Sequence, residues 1–159
     1  MDRLSWDEYG CLLALMAKSR SPDVFTKIGG IALDKNGRVL GASYNGLKSG
    51  AEMPHWMTLE KNRKIKSDLF IHAESNLCAQ LLKGECDTLC LTQSPCIKCC
   101  QQICALDIKK VVYIQEYKKC SQFKVFLNFH NIEYKELSKK SKNKILMYLQ
   151  NSDNFKELL

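Results

Sequence analysis

Near the start of the chain, apolar side chains recur at Tyr9, Leu12, Leu13 and Met16, the three-and-four spacing of one helix face. Ser5-Trp6-Asp7-Glu8 stands at the head of this run with the spacing of a capping box, in which serine and glutamate each satisfy an orphan amide. The pattern predicts a first helix to about Ser19, ended by Pro22. The period then changes. Lys27–Leu33 and Arg38–Ser43 read as strands, and the turn-rich Asp34-Lys35-Asn36-Gly37 between them predicts a β-hairpin.

Residues 45–69 lose the pattern. They hold Gly46, Gly50, Pro54 and the charged run Glu60-Lys61-Asn62-Arg63-Lys64, and read as a long surface insertion with a short helix around Trp56–Arg63. Loops of that length in a compact domain are usually functional or mobile. A regular alternation follows: helix 72–82 ending at Gly84, strand 88–92, helix 95–105, strand Lys110–Ile114. Phe123–Phe129 is apolar enough for a buried helix, Ile132–Lys135 alternates like an edge strand, and 141–150 closes the chain as a helix. A hairpin followed by helix–strand units predicts the α/β class, a three-layer α/β/α sandwich on a central mixed sheet of about five strands. No repeat or linker divides the chain. The expectation is one domain over 1–159, with its core at about 5–137 and a basic helical C-terminal extension at 138–159.

Composition narrows the class. A chain of 159 residues, 45% hydrophobic and 26% charged, can bury a core without disulfides. It has no apolar run of about eighteen residues, so no transmembrane helix is expected. Met1-Asp2-Arg3-Leu4 lacks the apolar region of a signal peptide. Nine cysteines, an odd number, argue against a disulfide framework. Cys78, Cys90 and Cys104 sit among apolar residues, where a thiol acts as a small hydrophobe. A reducing interior, cytoplasmic or nuclear, is expected. The net charge is +7, and residues 118–159 carry nine lysines against four acids, so +5 of it lies there. That balance fits an anionic partner, nucleotide or nucleic acid, although a solvated lysine-rich surface is the commoner cause.

The chemistry lies in two fragments about twenty residues apart, His72-Ala73-Glu74 and Pro95-Cys96-Ile97-Lys98-Cys99. Cys96 and Cys99 are one helical turn apart, with Pro95 suited to the first turn, and helix-start amides favour thiolate. With His72 they offer one nitrogen and two sulfurs. Three protein ligands point to a catalytic Zn²⁺, one ion per chain, rather than a closed structural site. Cys100 or Cys86 as fourth ligand is the closed alternative. Glu74 is expected to move protons rather than bind metal. Zinc makes hydroxide available at neutral pH, and hydroxide attacking C4 of cytosine or C6 of adenine would release ammonia. The two fragments together form the H-x-E…P-C-x-x-C signature of zinc-dependent nucleobase deaminases.

The match extends over roughly residues 5–137. Trp6-Asp7-Glu8-Tyr9, Arg20-Ser21 with Asp23, Thr26-Lys27-Ile28-Gly29, Tyr44-Asn45-Gly46, Met53-Pro54-His55-Trp56, His72-Ala73-Glu74-Ser75-Asn76 and Ile108-Lys109-Lys110-Val111-Val112-Tyr113 each resemble a block of the deoxycytidylate (dCMP) deaminase family, in the cytidine deaminase-like superfamily. The resemblance implies zinc-dependent hydrolysis of dCMP to dUMP, which supplies thymidylate synthesis. It also implies a pocket in which Asn45 meets the sugar and the Ala73 amide meets the base O2. Arg20 and Lys27 would hold the 5′-phosphate, with Tyr117 flanking. The bland readings are a surface ion pair for Arg20 and a turn residue for Asn45.

Departures from the family pattern matter too. Val24-Phe25 replaces a Pro-Asn pair, Ser75 a leucine, and the segment Leu47–Glu52 is shortened. Many relatives are controlled by dCTP and dTTP near this region. The shortening puts that control in question, along with any Mg²⁺ bound with an effector and the usual hexamer; a homo-oligomer of some size is still expected. The expected partner is a small nucleotide, without membrane or nucleic acid. The alternatives are a deaminase of dCTP or modified cytidine, a polynucleotide deaminase acting on tRNA adenosine or single-stranded cytidine, and a non-catalytic nucleotide sensor. The basic tail motivates the polynucleotide reading, but Phe123, Phe126 and Phe129 are spaced as core rather than as a stacking platform.

Overall fold

The computed structural model describes residues 3–117 and 121–150. Helix α1 spans Trp6–Lys18, and its predicted capping box is formed: the Glu8 amide donates to Ser5 Oγ at 3.2 Å and the Ser5 amide to Glu8 Oε2 at 2.8 Å. The helix closes at Ser19, three residues before Pro22. Strands β1 (Gly29–Leu33) and β2 (Val39–Tyr44) form the hairpin, with Gly37 at φ 79° in the turn, a backbone that suits glycine. The inserted segment folds as two short 3₁₀ turns, His55–Thr58 and Glu60–Asn62, and then α2, Arg63–Leu69. The helix thus starts inside the charged run, at Arg63, later than the sequence suggested.

The rest follows in the predicted order: α3 Ala73–Cys78, β3 Thr88–Gln93, α4 Ile97–Ala105, β4 Lys110–Gln115, α5 Gln122–Phe129, β5 Glu133–Glu136 and α6 Lys139–Gln150. Helix α3 is shorter than expected. Its end tightens through bonds from the Gln80 amide to Leu77 and the Leu81 amide to Cys78, and Gly84 at φ 83° redirects the chain. Helix α4 begins after Pro95, because Cys96 takes the capping position with extended backbone. Helix α5 is amphipathic rather than buried throughout: Phe123 and Leu127 are fully buried, whereas Phe129 is 80% exposed.

The sheet order is β2-β1-β3-β4-β5. Strand β1 runs antiparallel to β2 and β3, while β3, β4 and β5 are parallel, giving the mixed five-stranded sheet. The inner strands are apolar on both faces, as strands covered on both sides must be. Alternate residues divide them between two cores. Ala32, Leu89, Leu91, Val111 and Tyr113 meet Leu77, Ile103, Phe123 and Leu127 from the α3, α4 and α5 side. Ile31, Leu33, Cys90 and Val112 meet Cys11, Ala14 and Ile145 from α1 and α6. These are the three layers. Gly29 permits the closest approach of helix and strand, since a Cβ there would lie 2.1 Å from the Ala14 carbonyl oxygen.

The C-terminal extension is helical through Gln150, and the expectation for 151–159 lies outside the described residues. Among the described residues no helix is long and apolar enough to cross a membrane.

Candidate metal centre and the cavity beside it

Two helix starts converge beside the sheet. His72 caps α3 and Cys96 caps α4, both in extended conformation, and Cys99 sits in the first turn of α4. His72 Nδ1 lies 3.6 Å from Cys96 Sγ and 3.4 Å from Cys99 Sγ, and the two sulfurs are 3.6 Å apart. Zinc bonds of about 2.3 Å to sulfur and 2.0–2.1 Å to nitrogen in a tetrahedron put donor atoms roughly 3.5–3.8 Å from one another. The donor set fits zinc in both chemistry and spacing. Among the described residues this trio is the group of titratable side chains close enough to share a metal. Cys100 is fully buried in the apolar core, and Cys86, also in that core, donates its thiol to the Thr88 carbonyl at 3.5 Å. Neither joins the trio, so the closed alternative lacks its fourth ligand.

The charges of the trio are tied together. The hydrogen bond between the sulfurs splits their acidities: Cys96 is pushed down to about 4, chiefly through that bond and also by the His72 ring, while Cys99 is held well above the usual thiol range. His72 is raised, first by its hydrogen bond with Cys96. A thiolate and an imidazole held in contact make a site ready for a cation.

Glu74, in the first turn of α3, is 5% exposed. Burial penalises its charged form and pushes it up to about 7. A carboxyl there can both give and take a proton near neutral pH. Ser43 Oγ donates to the Ala73 carbonyl at 2.6 Å and so fastens α3 to β2. The Ala73 amide, at the first helical position, has no acceptor within its own helix.

A cavity of about 610 Å³ opens from this corner. His72, Ala73, Glu74 and Cys96 line it together with Asn45 and Tyr117, and the insertion from Glu60 to Phe70 supplies much of the rest. The sequence-predicted contacts separate here. Tyr117 lines the cavity, and its amide is held by Ser94 Oγ at 2.8 Å. Arg20 does not reach it: Arg20 lines a second groove, with Lys48, Ser49 and Asn76. Lys27 is exposed, while its neighbours Thr26 and Ile28 face the cavity.

Asn45 lines the cavity, yet its amide is already engaged. Oδ1 accepts from the Ile28 amide at 2.7 Å and Ser21 Oγ at 2.8 Å, while Nδ2 donates to the Thr26 carbonyl at 2.9 Å and Asp23 Oδ2 at 3.2 Å. Both donors and both lone pairs are used, so Asn45 holds the 21–28 segment in place and has none left for a sugar.

Sequence reasoning missed the buried ion pair between Asp23 and Lys66, which ties the insertion to that same segment. It also missed the placement of Lys61, Arg63 and Lys64 on the cavity wall. The insertion's length was the available signal for the latter; nothing local pairs residues 43 positions apart.

Residues 4–115 match the family described as the cytidine and deoxycytidylate deaminase zinc-binding region. The chain is 31% identical to the deoxycytidylate deaminase of Mycobacterium phage D29 over 128 residues, covering 73% of this chain and 99% of that one. It is 27% identical to the mouse (Mus musculus) deoxycytidylate deaminase over 122 residues, covering 72% of this chain and 67% of that one. The solved apo dCMP deaminase of cyanophage S-TIM5 superimposes with a TM-score of 0.66 at 25% identity, covering 82% of this chain and 96% of that one.

Proposed function

The chain belongs to the cytidine and deoxycytidylate deaminase zinc-binding family, and on that premise we propose that it hydrolyses dCMP to dUMP and ammonia, with His72, Cys96 and Cys99 holding one Zn²⁺. The observation that carries the reading is the convergence of these donors at zinc-site separations beside buried Glu74, on a nucleotide-sized cavity. When bound, zinc supplies the Lewis acidity that makes water a nucleophile at neutral pH. The reaction adds the water oxygen to C4 of cytosine and breaks the bond from C4 to the exocyclic nitrogen. Of the two water protons, one ends on ring N3 and the other on departing ammonia. Glu74, with its carboxyl near 7, takes each proton and delivers it, first to N3 and then to the amine. The Ala73 amide, which has no acceptor within its own helix, donates to the base O2 and orients the ring so that its amine faces the zinc corner. Tyr117 flanks the bound nucleotide.

The test is to load the purified protein with zinc, add dCMP and follow ammonia and dUMP. Turnover of dCMP above dCTP and deoxycytidine supports the reading. A zinc-replete protein inert toward all three sinks it. Faster turnover of dCTP would move the substrate to the triphosphate.

A further inference from the structure

Lys61, Arg63 and Lys64 line the same cavity as His72, Glu74 and Cys96, and the deamination chemistry uses none of them. We infer that Arg63 and Lys64, with Lys61 beside them, bind the 5′-phosphate of the substrate and set the preference for nucleotide over nucleoside. The inference rests on the cavity being a cytosine nucleotide site. With the base amine at the zinc corner, the phosphate needs cations elsewhere in the cavity lining, and the insertion supplies those without a buried partner.

The other cations near the cavity are committed elsewhere. Lys66 is buried and neutralised by Asp23, Lys27 is exposed off the wall, and Arg20 faces the second groove. Lys61 and Lys64 have no ion-pair partner among the described residues, and Arg63 pairs only with exposed Glu60 at 3.3 Å. An exposed pair of this kind is weak in water and exchanges readily for a dianion. Glu60 and Asp68 also stand on this wall, so three cations face two acids there, a net positive surface.

Arg63 is also held in place. Its guanidinium stacks over the Phe25 ring at 5.1 Å, and the Phe25 amide donates to Asp23 Oδ1 at 2.9 Å. The Lys66 ammonium, pinned to the same aspartate, meets Phe25 from one turn further along α2, at 5.4 Å. A planar guanidinium with its stem fixed presents paired donors to phosphate oxygens. Phe25 is therefore a positioning residue.

The experiment compares zinc-loaded wild type, Arg63→Gln/Lys64→Gln, Phe25→Leu and Arg20→Gln. It measures kcat/KM for dCMP and for deoxycytidine, and calorimetric binding of dUMP and deoxyuridine. Each lost charged contact is expected to cost about 10- to 100-fold on the phosphorylated ligand. The double variant should lose that on dCMP and dUMP, mainly through KM, while its nucleoside values stay put. Phe25→Leu should show a smaller loss of the same kind, and Arg20→Gln none.

Equal losses on dCMP and deoxycytidine, or unchanged dUMP binding in the double variant, overturn the assignment. So does a collapse of nucleotide preference in Arg20→Gln. If wild type binds dUMP through Arg63 and Lys64 but deaminates nothing, the phosphate site stands and the reaction falls. If the double variant deaminates dCMP as well as wild type, the reaction stands and the phosphate site falls. Wild type that neither binds dUMP nor deaminates dCMP overturns both.

Discussion

The two groups of residues that line the cavity are built in opposite ways. Around the zinc site every functional group sits at the start of a helix packed on the inner strands: α3 is anchored by fully buried Leu77 and α4 by fully buried Ile103. Much of the remaining lining stands on the insertion, which has its own ties to the body. Among the described residues these include the backbone bridge between Gly46 and Ile71, the Asp23–Lys66 ion pair, the stack on Phe25 and the burial of Met57 and Phe70. A bond-breaking centre needs atoms fixed to fractions of an ångström, which a close-packed core supplies. Ligand selection needs only charge and reach, and a tethered segment can change those without disturbing the chemistry. Changes in the first group should therefore abolish the reaction, and changes in the second should alter stability or selection while leaving the metal in place.

The sharpest break is Cys99→Ser. Removing one of two sulfurs should leave zinc well below one per chain, by metal analysis, and turnover undetectable, with the nucleotide-facing wall intact. Next comes Glu74→Gln, expected to lower kcat about 10²- to 10⁴-fold with zinc content unchanged. Loss of metal in that variant would contradict the separation of proton handling from metal binding.

In the second group, Lys66→Met should leave Asp23 buried without its cation and destabilise the fold by about 3 kcal/mol in urea unfolding, zinc retained. Adding Asp23→Asn should recover part of that, because the uncompensated charge is gone. A Lys66→Met protein that loses zinc would mean the two groups are not independent. The smallest effect is a control remote from both: Ser5→Ala removes the α1 cap and should cost about 1 kcal/mol without changing turnover.

The reading from sequence was accurate where the determining interactions are short along the chain. The capping box spans four residues, Ser5 to Glu8, and both of its bonds are present. The His72 and Cys96 fragments could be recognised because metal ligation and helix starts impose fixed spacings. The strand order alone was beyond such reasoning, though the mixed five-stranded sandwich was not. Boundaries slipped where tertiary packing or a cap intervened, as at Cys96, where the cap displaces Pro95 from the helix.

The substrate side was poorly legible. Arg20 and Asn45 carry suitable chemistry, but whether a guanidinium faces one groove or the next depends on how the 20–28 segment lies across the sheet edge. Asn45 is engaged by four partners contributed by residues 21–28. Phe25, an anomaly in the sequence pattern, became intelligible only when α2 placed Arg63 and Lys66 over its ring.

By itself, then, the sequence determined the α/β layers and singled out His72, Cys96 and Cys99 as candidate zinc donors with Glu74 next to them, since periodicity and close spacing act locally. Tertiary structure alone decided that Cys100 stays in the core, that Arg20 faces away, and that Lys61, Arg63 and Lys64 face the cavity. Those outcomes rest on contacts between residues tens of positions apart, as when Lys66 meets Asp23, 43 positions away, or Cys100 joins Leu77 and Phe123 in one core.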